Sequence, residues 1–179
     1  MKGFGAITSG ARDADSVEEV AQDQWRTPSD LFQALHDRFF FQLDAAADEG
    51  EGGALCPYYL TRKEDALGPD KWPDLGAVFV NPPYSRIREF TARCKIEAEQ
   101  RFDPVVALIP ARTACKWWFD NVAGAAAEVY FLEGRLKYVP ADPKQKSTGA
   151  PFASAVVVYR RGYSSPRFGS ISRGGVIRS

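Results

Sequence analysis

The loop Asn81-Pro82-Pro83-Tyr84 contains the residue types of this sequence that are best suited to chemistry on an amino group. The side-chain oxygen of Asn81 and the backbone oxygen of Pro82 are two acceptors for the N–H bonds of a planar exocyclic amine, whose lone pair is delocalised into its ring. Two consecutive prolines hold φ at roughly −65° and lack N–H groups, so the loop is stiff and its carbonyls are preset. Tyr84 would add an aromatic face on which a flat ring could stack.

The segments on either side of this loop indicate a strand-to-helix turn. Residues 77–80 form a short apolar run that predicts a buried strand, and the Arg-, Glu- and Ala-rich segment of about 86–101 predicts a helix. This context favours a functional loop over a chance occurrence of the same four residues. A rigid turn with a tyrosine in the core is the plain structural alternative.

A second acid follows another predicted strand. Residues 40–44 read as a buried strand that ends in Asp44, and the small-residue turn Ala45-Ala46-Ala47 comes next. An open α/β sheet binds its ligand beyond the carboxyl ends of its strands. Asp44 and Asn81 both occupy such ends, which predicts one site that includes both.

The remaining pattern predicts an α/β domain. Thr27, Pro28 and Asp30 have the form of a capping box, with a helix over about 28–38. Alternating strands and helices predict a mostly parallel sheet with helices on both faces, and the final two strands, joined without a helix, are expected to be antiparallel neighbours. The further predicted elements are a helix over 113–123 and strands over 105–109, 128–132, 135–139 and 152–159.

The composition fits one domain with short extensions. The chain has 179 residues and a formal net charge of zero, so attraction to nucleic acid must come from local patches. Residues 1–22 predict a flexible arm, 23–161 the folded domain and 162–179 a flexible basic tail. Three widely spaced cysteines favour a reducing cytoplasm, a single histidine argues against a His-rich metal site, and no segment is apolar enough to span a membrane.

The order and spacing of several short segments resemble a known family, the small phage-type (Dam-like) DNA N6-adenine methyltransferases. The resemblance covers about residues 25–159. It implies a Rossmann-like fold, S-adenosylmethionine as methyl donor, and adenine in DNA as acceptor. The matching segments are Trp25-Arg26-Thr27-Pro28, Leu43-Asp44-Ala45-Ala46-Ala47, Asp65-Ala66-Leu67, Trp72, Asn81-Pro82-Pro83-Tyr84-Ser85, Leu108-Ile109-Pro110-Ala111-Arg112 and Gly134-Arg135-Leu136.

The resemblance also implies roles around the donor. Thr27 and Pro28 would contact its methionine end, Asp44 would accept from its ammonium group, and Asp65 would accept from its adenine amine. The backbone of Ala45 and Ala46 would approach the donor closely, and Asn81 would border both donor and acceptor. The chain departs from the wider methyltransferase pattern here, because alanines replace a glycine-rich turn.

The implied reaction takes the target adenine out of double-stranded DNA by base flipping and requires no metal. DNA N4-cytosine methylation is the nearest alternative, because N4 is also an exocyclic amine. A protein glutamine methyltransferase shares the loop but normally has a glycine-rich donor turn. A non-catalytic nucleotide- or DNA-binding module with a degenerate donor site is the alternative of a different class. Cytosine C5 methylation is disfavoured, since it needs a cysteine nucleophile that usually follows a proline.

Overall fold

The computed structural model describes residues 25–49, 53–140 and 150–178 of the chain. The predicted arm over 1–22 lies outside these residues. In chain order, the described strands are β1 (Trp25–Arg26), β2 (Leu43–Asp44), β3 (Tyr58–Tyr59), β4 (Val78–Val80), β5 (Val105–Pro110), β6 (Glu128–Leu132), β7 (Val139–Pro140), β8 (Ser154–Tyr159), β9 (Arg167–Ile171) and β10 (Ile177–Arg178).

Eight of these strands form one mixed sheet in the order β10-β9-β6-β8-β5-β4-β2-β3. Strands β3, β2, β4 and β5 are parallel neighbours, as is the pair β6 and β9. Strands β4 and β5 are buried along their whole length. Continuous apolar strands of this kind are typical of a parallel sheet that is covered on both faces. The predicted α/β class with a mostly parallel sheet is therefore confirmed.

The antiparallel strand has a different place from the one predicted. Strand β8 lies between β5 and β6 and is antiparallel to both. The predicted strand over 135–139 does not pair with it. Instead, the two-residue strand β7 pairs with β1, outside the main sheet. The segments are separated by residues 141–149, which lie outside the described residues.

The predicted flexible tail over 162–179 is wrong for its central part, and the sheet extends beyond the predicted domain end at 161. Strand β9 pairs with β6, β10 pairs with β9, and Ile171 is buried. Gly169 is needed for this packing, because a Cβ there would lie 2.5 Å from the Arg178 backbone oxygen. Two of the basic residues form ion pairs, Arg173 with Asp30 and Arg178 with Glu133.

Helix α1 (Ser29–Phe39) begins one residue later than predicted, and the predicted capping box is absent. Pro28 occupies the N-cap position, and no side-chain hydrogen bond caps this helix end among the described residues. Phe40 ends the helix with a positive φ of 56°, which is why β2 starts only at Leu43. The Phe32 ring of α1 packs edge-on against Phe79 of β4, with centroids 5.2 Å apart, so α1 supports the strand that leads to the Asn81 loop.

Helix α2 (Ile87–Glu99) follows the Asn81 loop and packs its apolar face against β5. The helix predicted over 113–123 is shorter and irregular. It begins as α3 (Lys116–Trp118) and continues as a π-helical segment, Phe119–Ala123, in which Gly124 N–H donates to the Phe119 oxygen.

Candidate active site

The Asn81 loop leaves the sheet at the carboxyl end of β4, as the sequence predicts. Pro83 has φ of −58°, and a single 3₁₀ turn, Tyr84–Arg86, connects the loop to α2. Pro82 is buried, whereas Asn81 and Pro83 are half-buried. A buried strand and a helix thus clamp the loop from both sides, and its prolines leave it little freedom.

The tyrosine of this loop is a core residue. Tyr84 is 3% exposed, and its ring makes edge-on contacts with Tyr138 and Phe152 at centroid distances of 6.1 and 5.4 Å. Its hydroxyl and that of Tyr138 hydrogen-bond to each other. Burial is the main cause that raises the pKa of Tyr84 well above its usual value, and the charge interaction and hydrogen bond with Tyr138 add to it. The expected open aromatic face is therefore covered in this conformation, and Tyr84 anchors the loop instead.

Asp44 ends β2, the strand next to β4. Its partner in the parallel register is Phe79, and Ala45 N–H donates to the Phe79 oxygen at 2.9 Å. Asp44 and Asn81 thus leave the same edge of the sheet on neighbouring strands, as predicted. The Asp44 carboxylate accepts backbone N–H bonds from Ala46 and Leu55, both at 3.2 Å.

The protonation of Asp44 is unusual for a carboxylic acid. Burial is the main cause that raises its pKa to about 6, and the nearby Asp48 carboxylate adds to it, while the N–H groups of Ala46 and Leu55 oppose it. A buried acid with few cationic neighbours is stabilised in its charged form when a cation binds beside it. Asp44 is therefore suited to receive a cationic group of a ligand.

Thr27 has a buried hydroxyl without a hydrogen-bond partner among the described residues. The residue is 5% exposed, and Pro28 beside it is also buried. Arg26 pairs with Asp48 through an Nε–Oδ2 contact of 3.1 Å, which ties this segment to the turn after β2. An unpaired buried hydroxyl costs free energy, and binding of a ligand group is one way to recover it.

Asp65 lies in a turn between β3 and β4 and has a positive φ of 44°. Its Oδ1 accepts from Leu67 N–H at 3.3 Å, and its backbone oxygen accepts from Gly68 N–H at 2.7 Å. The charge of Asp65 contributes, after the larger effect of Glu89, to raising the pKa of Arg86. The turn that carries Asp65 is thus near the start of α2, on the side of the Asn81 loop.

A match to a known protein family assigns these residues to a class of enzyme. A family model described as DNA N-6-adenine-methyltransferase (Dam) matches residues 15–176, which is most of the chain.

The chain belongs to the Dam family of DNA methyltransferases.

A curated relative of this Dam-family protein is consistent with that assignment. The relative from Escherichia coli (strain K12), described as "Putative methyltransferase YfdM", is 40% identical over 77 residues. The match covers 40% of this chain and 80% of the relative. Family membership supports an enzyme that transfers methyl groups to DNA.

The Dam-family site includes positioning residues that the sequence reasoning missed. Tyr138 contacts Tyr84, and its hydroxyl lies 3.4 Å from that of Ser154, the first residue of β8. No pattern along the chain indicates this pairing, since the residues come from distant segments. A second group comprises Arg93 and Glu97 on α2 and Arg101 just beyond its end, and their spacing of four residues is the sequence signal for it.

The described residues contain neither a candidate metal site nor a candidate membrane-spanning helix. Among them, no group of three or more His, Cys, Asp or Glu side chains could hold a metal ion. No helix in the described part of this Dam-family chain is long and apolar enough to cross a membrane. All three cysteines, Cys56, Cys94 and Cys115, are free thiols.

Proposed function

We propose that this protein transfers a methyl group from S-adenosylmethionine to the exocyclic N6 amine of adenine in DNA, with Asn81, Pro82, Pro83 and Tyr84 as its catalytic loop. The fold we propose is the Rossmann-like one of S-adenosylmethionine-dependent methyltransferases. The parallel strands β3, β2, β4 and β5 support it, because the candidate residues follow the carboxyl ends of two of them.

The observation that carries this proposal is the unpaired, buried hydroxyl of Thr27 beside the turn that follows Asp44. The two residues provide what the methionine end of the donor requires, a polar hydroxyl and a carboxylate for an ammonium group. They therefore fit the donor by chemistry. Thr27, Pro28, Asp44, Ala45, Ala46, Asp65 and Asn81 would hold it. When bound, S-adenosylmethionine would supply a methyl group activated by a positively charged sulfur.

The chain's own contribution to the reaction is to position the acceptor amine. The Asn81 side-chain oxygen and the Pro82 backbone oxygen would accept hydrogen bonds from the amine, which shifts electron density onto its nitrogen. The rigidity of the two prolines keeps these acceptors in place without a reorganisation cost. When the nitrogen takes the methyl group, the donor would leave as a neutral thioether. The adjacent oxygens would stabilise the positive charge on the nitrogen until it passes one proton to water.

DNA is the proposed macromolecular substrate, and the amine must leave the base stack to reach the loop. Since Tyr84 is covered by Tyr138 and Phe152, the flipped base would need another flat surface or a movement of one of these rings. The half-buried Phe152, with the Arg112 guanidinium 5.9 Å from its ring centroid, is the aromatic neighbour that is more accessible to a base.

The experiment that tests this function compares Asn81→Ala with Asn121→Ala, which alters the other asparagine of the chain. Both proteins are incubated with S-adenosylmethionine and DNA, and the nucleosides are analysed by mass spectrometry. We expect N6-methyladenine from the wild type and from Asn121→Ala, and none from Asn81→Ala. Calorimetry with S-adenosylhomocysteine should show that Asn81→Ala still binds the donor product.

Other outcomes would contradict the proposal in different ways. Turnover by Asn81→Ala would reject the role of the loop. N4-methylcytosine as the product would reject the acceptor. Failure of the wild type to bind either donor or donor product would favour a module with a degenerate donor site.

A further inference from the structure

One face of α2 carries charged residues that point into the protein. Arg93, Glu97 and Arg101 follow one another at intervals of four residues; Arg93 and Glu97 lie on one side of the helix, and Arg101 lies just beyond its end. Glu97 and Arg101 are buried, and Arg93 is half-buried. Helix faces with full charges are usually exposed to solvent, so this one requires an explanation.

Glu97 is the centre of this group. It is 1% exposed, and its carboxylate pairs with Arg93 at 2.8 Å and with Arg101 at 2.7 Å. The same carboxylate accepts from the backbone N–H of Trp72 at 3.2 Å. One buried acid thus joins two arginines, one on α2 and one just after it, to the segment that follows Asp65.

The two arginines bind the backbone of that segment. Arg101 donates to the oxygens of Trp72 and Pro73 at 3.1 and 3.4 Å. Arg93 donates to the Gly68 oxygen at 3.1 Å and also to the Asp70 oxygen. The segment 68–73 is irregular, so its carbonyl groups need such partners when they are covered.

Trp72 links this group to the turn that carries Asp65. Its indole N–H donates to the Ala66 oxygen at 2.7 Å, and Ala66 is the residue after Asp65. The Arg93 guanidinium lies 5.9 Å from the Trp72 ring centroid, in a cation–π contact. Asp65 has a strained left-handed conformation that only surrounding contacts can maintain.

Stability alone is a weak reason for such a group. A buried ion pair loses hydration, and well-packed apolar side chains of similar size often stabilise a protein as well or better. Buried polar networks do fix a unique geometry. The geometry fixed here is that of the Asp65 turn, in which the Asp65 Oδ1 accepts from Leu67 N–H and the Ala66 oxygen accepts from the Trp72 indole.

We propose that Arg93, Glu97, Arg101 and Trp72 form a positioning group that holds Asp65 where it accepts a hydrogen bond from the adenine amine of the methyl donor. This inference rests on the proposed function. The group itself does not contact the donor. It makes the protein selective for an adenosyl ligand over one that lacks the amine.

The test uses two ligands that differ only at that amine, S-adenosylhomocysteine and S-inosylhomocysteine, in which a carbonyl oxygen replaces it. Calorimetry gives the ratio of the two dissociation constants for the full chain. Asp65→Gly, which tolerates the positive φ at this position, calibrates the ratio expected when the acceptor is lost. The positioning variants are Trp72→Phe and Arg93→Lys. The first removes the indole hydrogen bond to the Ala66 oxygen. The second keeps a positive charge beside Glu97 but loses the paired guanidinium hydrogen bonds to the Gly68 and Asp70 oxygens.

Matched controls separate positioning from general destabilisation. Trp118→Phe is the control for Trp72→Phe, because it changes another buried tryptophan. Arg160→Lys is the control for Arg93→Lys, because it changes another arginine that pairs with a buried glutamate, Glu128. We expect the wild type and both controls to prefer the adenosyl ligand. Trp72→Phe and Arg93→Lys should reduce that preference by about tenfold, which corresponds to about 1.4 kcal/mol. The KM for the donor should rise while kcat at saturating donor stays within about twofold.

The inference is overturned if both positioning variants retain the wild-type preference, or if they weaken both ligands equally. It is also overturned if Asp65→Gly leaves the preference unchanged, since Asp65 would then not accept a hydrogen bond from the amine, although the methyltransferase function would stand. If the wild type binds neither ligand, the proposed function fails, and this inference fails with it.

Discussion

The hydroxyl groups of Tyr84 and Tyr138 hydrogen-bond to each other in the core, although 54 residues separate them along the chain. Burial raises the pKa of both phenols, so both remain protonated at neutral pH. The Ser154 hydroxyl lies close to Tyr138 and extends the contact to β8. The loop that carries Asn81 is therefore fixed to a distant part of the sheet.

Tyr138→Phe should lower kcat without changing the affinity for the donor. The change removes one hydrogen bond of the buried Tyr84 hydroxyl, at a cost of about 1 kcal/mol in unfolding free energy. The loop would then be less well positioned, and positional catalysis would suffer. Tyr159→Phe is the control, since the buried Tyr159 hydroxyl lacks a partner among the described residues and its removal should not destabilise the protein. Equal effects of the two changes on kcat and melting temperature would show that the pair has no special role.

Donor binding should depend on pH through Asp44. Its pKa is raised to about 6 in the folded protein, so below that pH the carboxyl group is protonated and neutral. A bound ammonium group favours the ionised form, hence binding releases a proton below pH about 6, and affinity should rise with pH and level off above it. Calorimetry with S-adenosylhomocysteine over roughly pH 5 to 7 measures this, because the ligand amine stays protonated there.

Asp44→Asn provides the control for that profile. The variant should bind more weakly and without the rise near pH 6. The same pKa also affects folding. A raised acid pKa means that the folded state retains a proton that the unfolded state has lost, so this group lowers the stability as pH increases from 3.8 to about 6. A pH-independent affinity in the wild type would show that Asp44 does not face a cation.

Thr27→Val should stabilise the free protein and weaken donor binding. Valine has nearly the same shape but no hydroxyl, so the change removes an unpaired buried group that costs about 1 to 3 kcal/mol. If the donor is the missing partner, its affinity should fall by about tenfold, the effect of one lost hydrogen bond. Thr27→Ser keeps the hydroxyl and should retain most of the affinity. Melting temperature and calorimetry check the two effects. Unchanged affinity in Thr27→Val would remove Thr27 from the donor site.

Truncation after Arg161 should destabilise the protein, because β9 and β10 belong to the sheet. Burial of the Ile171 side chain alone accounts for about 2 kcal/mol. A point change tests the same packing: Gly169→Ala would place a Cβ 2.5 Å from the Arg178 oxygen, whereas a Cβ at Gly174 would lie 4.0 Å from the Ser172 Oγ, an ordinary contact distance. We expect a lower melting temperature for the first and little change for the second. If the truncated chain is as stable as the full one, β9 and β10 do not stabilise the sheet, and the flexible tail predicted from the sequence is supported.

The sequence by itself determined the strands that carry the site and the chemistry of the loop. Apolar runs before Asp44 and Asn81 predicted two buried strands, and the structure makes them parallel neighbours that end at one edge. These features are local, because hydrophobic periodicity and proline act through adjacent residues. The resemblance to the Dam family rested on such local segments, and the family match confirms it.

Only the tertiary structure decided which surfaces are covered and which distant residues meet. Tyr84 was expected to offer a face for stacking, but Tyr138 and Phe152 cover it. Strand β9 has a weak sequence signal, since Gly169 is required for close packing and its basic neighbours resemble a solvated tail. Burial and pairing across a sheet depend on contacts between residues far apart in the chain, and neither composition nor spacing encodes those contacts locally.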